Sequence, residues 1–128
     1  MNPVPKPVMN KKKKRKKLPS MPSLIRKADQ VFSKFIRERD GHKCCTCGKP
    51  AKHAGHYIRR AHKRARWNTY NVNAQCVYCN TYLDGNMDAY ALFLVNKHGI
   101  YILNELQSLK GTYKPSREEL NQIITAYS

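Results

Sequence analysis

Acidic side chains are scarce in this chain: eight Asp and Glu stand against 25 Lys and Arg in 128 residues. None occurs in residues 1–28 or between Gly41 and Leu83. The formal charge of +17 is a self-repulsion that a protein of this size tolerates mainly when its partner is a polyanion, which makes nucleic acid the leading candidate. Long apolar runs are missing as well, and nothing approaches the roughly 20 residues of a membrane span. With no secretory signal ahead of them, the five cysteines are expected as free thiols in a reducing cytosol. No internal repeat is visible. Allowing for an unstructured start, the length leaves room for one domain of about 100 residues, small enough to gain from a metal staple.

Four of the cysteines form two Cys-x-x-Cys pairs, Cys44/Cys47 and Cys76/Cys79. Two-residue spacers let each pair approach a tetrahedral zinc ion as a tight knuckle, and four thiolates complete a structural Zn²⁺ site. The 28 residues between Cys47 and Cys76 exceed the roughly 15–20 of a common zinc ribbon, so a further element must fold between the knuckles. A disulfide or a redox pair suits an unsignalled chain with two such motifs less well. Cys45 is left over as a small buried side chain. Pairing His53 or His56 with the first knuckle would strand the second.

The positive charge falls in two places. Lys11, Lys12, Lys13, Lys14, Arg15, Lys16 and Lys17 form a run flanked by Pro3, Pro5, Pro7, Pro19 and Pro22, which has nothing to bury and reads as a disordered basic arm over residues 1–22. Extended, 17 residues reach on the order of 55 Å. A localisation signal or a solubility tail are the alternative readings of such a run. The second region carries Arg59, Arg60, Lys63, Arg64 and Arg66, expected to contact DNA phosphates.

Apolar periodicity gives helices around an irregular middle. Leu24, Ala28, Val31, Phe32, Phe35 and Ile36 predict a helix from about Ser23 to Arg39, ended by Asp40-Gly41. Met87, Tyr90, Ala91 and Leu94 predict a second, with Asp84 as its cap and Gly99 at its end. Leu103, Leu106 and Leu109 mark a short helix, and Ser116-x-x-Glu119 opens a last one bearing Leu120, Ile123, Ile124 and Tyr127. Between the knuckles, Lys52–Ile58 suits a short strand and Asn73–Cys76 its antiparallel partner, with residues 59–70 as the loop. Strand, loop, strand, helix is the ββα-metal arrangement of HNH nucleases. The fold class expected for residues 23–128 is therefore α+β: a single zinc-stapled ββα-metal domain flanked by N- and C-terminal helices.

Several motifs carry a resemblance. They are Phe32-Ser33 with Ile36-Arg37-Glu38-Arg39-Asp40, Cys44-Cys45-Thr46-Cys47-Gly48, Ala54-Gly55-His56-Tyr57, Asn71 with Gln75-Cys76-Val77-Tyr78-Cys79-Asn80, and Leu83-Asp84-Gly85-Asn86 with Tyr90. In this order, over Phe32 to Gly99, the chain resembles the NinG (Rap) family of lambdoid-phage recombination nucleases, of the HNH class. It departs from the family at Asp84, where Ser is usual, and in a short stretch between Gly48 and Ala54. The resemblance implies cleavage of branched recombination DNA, such as Holliday junctions or D-loops, in the cytoplasm of a bacterial host.

Phosphodiester hydrolysis needs a base for water and a cation for the phosphate and leaving oxygen. His56 sits where HNH enzymes place the base, and imidazole titrates near working pH. Asn71 matches the middle position and would hold the His56 loop without adding charge. Asn86 matches the last, where its carbonyl oxygen would bind Mg²⁺ or Mn²⁺. The acid that many HNH enzymes carry just before the base is Gly55 here, so Asp84 and His53 become candidate additional ligands. His53, three residues from His56, falls on the opposite face of an extended strand. His42, His62 and His98 read as surface groups, and Trp67 and Tyr70 as anchors of the loop.

The expected function is a metal-dependent DNA endonuclease, with a homodimer a natural arrangement for cutting two strands. Two alternatives remain: an HNH nuclease with another role (restriction, homing or packaging), and a zinc-stapled DNA-binding protein without catalysis.

Overall fold

The structure, a computed structural model, describes residues 17–128. Lys11 to Lys16 lie outside them, so of the cations in the arm's basic run only Lys17 is described, and it is exposed. Helix α1 spans Met21–Arg39, two residues longer at its start than periodicity predicts. Its length is set by chemistry beside the stripe: Ser20 accepts from the Ser23 amide at 3.2 Å, and Pro22 occupies the first turn, where its missing N–H costs nothing. The buried stripe is Leu24, Ala28, Phe32 and Ile36, every fourth residue.

Strands β1 (His53–His56) and β2 (Val72–Gln75) pair antiparallel, His53 opposite Gln75 and His56 opposite Val72. Period-two alternation divides their side chains between two helices. Ala54 and Val72 pack on Phe32 and Ile36 of α1. Gly55, Asn73 and Gln75 face the other way, toward α3 (Met87–His98). There the buried Tyr90 hydroxyl donates to the Gly55 carbonyl at 2.7 Å and accepts from Asn73 Nδ2 at 3.2 Å. The expected loop between the strands holds a one-turn helix, α2 (Lys63–Arg66).

Two residues at the end of α1 lock the sheet in place. Asp40 accepts from the Ala74 amide at 2.7 Å, and Arg39 donates to the carbonyls of Thr69 and Val72 at 2.8 and 3.0 Å. Beyond α3, which ends at Gly99, come α4 (Ile102–Gln107) and α5 (Arg117–Tyr127). Ser116 caps α5 by accepting from the Glu119 amide at 3.1 Å. Leu120 is buried against Leu24 and Ala28. Tyr127 meets Phe32 edge-on, with centroids 4.8 Å apart.

The result is an α+β fold in which α1 and α3 sandwich a two-stranded sheet, and a cysteine cluster sits at one end. The expected cap at Asp84 is corrected: the N-cap position of α3 is Asn86, whose side chain makes no capping bond. Asp84 and Asn86 both adopt left-handed backbone, φ 49° and 50°, in the turn leading to the helix. No helix among the described residues is long and apolar enough to cross a membrane.

Candidate functional site

The four knuckle cysteines converge, their Sγ atoms all within 4.8 Å of one another. A tetrahedron of thiolates about 2.3 Å from zinc has edges of roughly 3.8 Å, so the cluster could hold a metal such as zinc with little adjustment. The charge balance points the same way. Burial opposes ionisation of Cys44, but hydrogen bonds from Thr46 and nearby backbone amides outweigh it and bring the thiol down to about 6. At Cys47 a backbone bond from Lys49 favours the thiolate, yet burial and the three neighbouring sulfurs push it up to about 12. Four adjacent thiolates therefore need a cation among them. Cys45 stands outside the cluster, and its burial raises the thiol further.

A cavity of about 610 Å³ opens beside β1, lined by His56, Asp29, Arg59, Arg60, Asn80 and Asp84 among others. His56 Nε2 lies 2.9 Å from the Arg66 carbonyl oxygen. A carbonyl only accepts, so Nε2 carries the proton and Nδ1 keeps its lone pair. Burial, opposed by that carbonyl bond and aided by the Arg60 charge, lowers the imidazole to about 4. His56 is thus neutral at ordinary pH and basic at one defined atom.

Asn71 is fully buried, does not line the cavity, and directs its carboxamide to the backbone and not to His56. It accepts from the Ile58 amide at 2.7 Å and donates to the carbonyls of Ile58 and Ala65, both at 3.0 Å. The start of the segment between the strands and its one-turn helix are both pinned to one carboxamide. Asn86 stands between the cavity-lining Gly85 and Met87, and its Nδ2 donates to Cys79 Sγ at 3.7 Å. That bond leaves the amide oxygen pointing away from the sulfur. His53 is on the other face of β1, where Nδ1 accepts from Asn80 Nδ2 at 3.1 Å; the structure does not bring it to His56.

The arginines divide. Arg66, expected at phosphate, is instead paired with Asp29, through Nε at 2.9 Å and a second nitrogen at 2.5 Å. Its side chain is 12% exposed, whereas that of Arg60 is 61% exposed and makes one long contact to Asp29 at 3.4 Å. Arg59 is exposed at the cavity wall, Arg64 lies over the Tyr113 ring at 5.1 Å, and Lys63 is half-buried. Residue order alone hides Asp29, Asn80 and Gln75. Asp29 had one visible signal: it is the first acid of the chain and borders the apolar stripe of α1.

A family model described as Bacteriophage Lambda NinG protein matches residues 6–128. The protein ninG of Salmonella phage P22 is 33% identical over 108 residues, covering 80% of this chain and 53% of its own length. The same identity and shares hold for protein ninG of Escherichia phage lambda. That of Escherichia phage 933W is also 33% identical, over 54% of its length. The chain thus spans about half the length of the curated relatives it matches. No solved structure matches it. On the strength of the family match and these identities, the chain belongs to the NinG protein family of lambdoid phages.

Proposed function

We propose that this NinG protein is a metal-dependent DNA endonuclease of the HNH class, acting on branched recombination intermediates. One observation carries the reading: a neutral imidazole, its proton held on Nε2 by the Arg66 carbonyl, lines a cavity walled by the exposed Arg59 and Arg60. Nδ1 accepts a proton from water, and the resulting hydroxide attacks phosphorus as the bond to the leaving oxygen breaks. Arg59 and Arg60 hold the phosphate in place. Asn71 keeps the start of the loop and α2 at fixed spacing.

Asp84 lines the cavity and Asn86 follows it two residues on; their hard oxygens suit Mg²⁺ or Mn²⁺, which would neutralise charge on the phosphate and leaving oxygen. Asn86 fits this role because its amide nitrogen is engaged by Cys79, which turns its oxygen away from the sulfur. Zn²⁺ at the four cysteines would tie the two knuckles together and hold Asn86 in register. Phosphate contacts from so basic a chain give salt-sensitive affinity without sequence preference, so selectivity would rest on DNA shape.

A non-catalytic, zinc-stapled DNA binder is the second reading. It is favoured by the Gln75 side chain, which fills the space where an acid at position 55 would begin. Incubation of four-way junctions, flaps, single strands and linear duplexes with each divalent ion separates the two. The endonuclease reading expects cleavage of the junction, its loss in His56→Ala, and retained DNA binding by that variant. Absence of cleavage by the wild type on every substrate would establish the binder, and equal rates on linear duplex would remove branch selectivity.

A further inference from the structure

We propose that Asp29, a residue of α1, is the positioning residue of the His56 site, a reading that deepens the endonuclease assignment and rests on it. The neighbouring Ala28 is wholly buried in the core, so the Asp29 carboxylate projects from a fixed base. It collects donors from the segment that carries the base's anchor. Arg66 Nε and Trp67 Nε1 reach one oxygen at 2.9 and 3.0 Å, and Arg66 reaches the other at 2.5 Å, with Arg60 at 3.4 Å.

Arg66 is also the residue whose carbonyl accepts from His56 Nε2. Two successive carbonyls, of Ala65 and Arg66, are therefore bonded to Asn71 and His56. α2 is one turn long and too short to hold its own geometry. Asn71 restrains it from the sheet side, and Asp29 restrains the side chains of Arg66 and Trp67 from α1. Loss of the carboxylate frees the peptide that sets both the ring plane and the tautomer of His56. The same donors commit the Asp29 carboxylate to the Arg66 segment, although it lines the cavity.

The test uses the full chain with Asp29→Ala, Asp29→Asn and Arg66→Ala. ¹⁵N NMR of the histidine ring reports the tautomer without any cleavage. The wild type should show the proton on Nε2 alone, and Asp29→Ala should show it shared between Nε2 and Nδ1. On a four-way junction kcat should fall on the order of 10²-fold, as expected for a small misplacement of a reacting group, while KM changes little. Asp29→Asn, which keeps an acceptor for Trp67, should fall between. Arg66→Ala should resemble Asp29→Ala, and the double variant should be no worse than either. An unshifted tautomer with native kcat in Asp29→Ala would overturn the proposal and leave a plain surface ion pair. If the wild type cleaves nothing, the endonuclease reading fails alone, since the tautomer still decides the role of Asp29.

Discussion

The side-chain oxygen of Gln75 lies where a Cβ on Gly55 would have to be. Gln75 is fully buried, and its Nε2 donates to the Gly85 carbonyl at 2.9 Å and to Thr46 Oγ1 at 3.2 Å. It thereby bridges the first cysteine knuckle, the sheet and the turn before Asn86. Its Oε1 has no hydrogen-bond partner and rests against the Gly55 backbone. The residue before the base is glycine because a buried carboxamide from the opposite strand uses its space.

Gly55→Ala should therefore destabilise the chain by about 1–3 kcal/mol, the usual range for overpacking a fixed core. Adding Gln75→Ala removes the clash. In a urea-denaturation cycle, the double variant should be more stable than the sum of the single losses by about 1 kcal/mol or more. Strict additivity would mean that the carboxamide moves aside freely.

His56 is neutral because burial holds it at about 4, against its ordinary 6.5. A base with that value stays competent down to mildly acidic pH. The acid limb of kcat/KM, which reports the free enzyme, should thus lie near 4 to 5 and not near 6.5. Stability carries the matching signature. The unfolded chain takes a proton at this residue below about 6.5 while the folded chain does not, so this contribution is complete above 6.5 and is lost as pH falls toward 4. Between pH 7 and 5 the wild type should lose about 1–2 kcal/mol more than His56→Gln, measured by chemical denaturation.

What could be read in the sequence was local. The two knuckles, the Ser116 cap, Gly99 at the end of α3 and the hairpin between the cysteine pairs each depend on residues a few positions apart or on a fixed ligand count. Asp29 and Arg66 meet across 37 positions, and their pairing arises only when α1 packs on the sheet. Arg66 reads as one more cation in an acid-free stretch until the helix delivers its acid. Asp84 is not the cap its position suggests for a related reason: a left-handed turn shifts the start of α3 to Asn86, and sequence spacing does not encode that turn.

Asn71 bonds three buried backbone groups with one side chain, in a site of zero exposure. Asn71→Ala leaves the Ile58 amide and carbonyl without partners and removes one of the donors to the Ala65 carbonyl, which the backbone of α2 also engages; this should cost about 2–4 kcal/mol. Asn71→Asp keeps the acceptor and loses both donors, so it should be no milder. A shift in thermal midpoint of less than about 2 °C in Asn71→Ala would show that the segment re-forms its bonds elsewhere.

The cysteine cluster makes the sharpest compositional prediction. Four sulfurs within 4.8 Å of one another should release one zinc per chain when the thiols are titrated with a mercurial in the presence of a chromophoric chelator. Cys76→Ser should lose that metal and melt at lower temperature, because binding energy in such a site is folding energy. Cys45→Ala is the informative control. Its thiol is one residue from Cys44 in sequence, yet it lies outside the cluster and is held protonated by burial. It should keep a full equivalent of zinc and, when loaded with cobalt, the visible absorption of a tetrahedral thiolate site. Loss of metal from that variant would place Cys45 among the ligands and displace one of the four, and a chain isolated with no zinc would leave the two knuckles joined by packing alone.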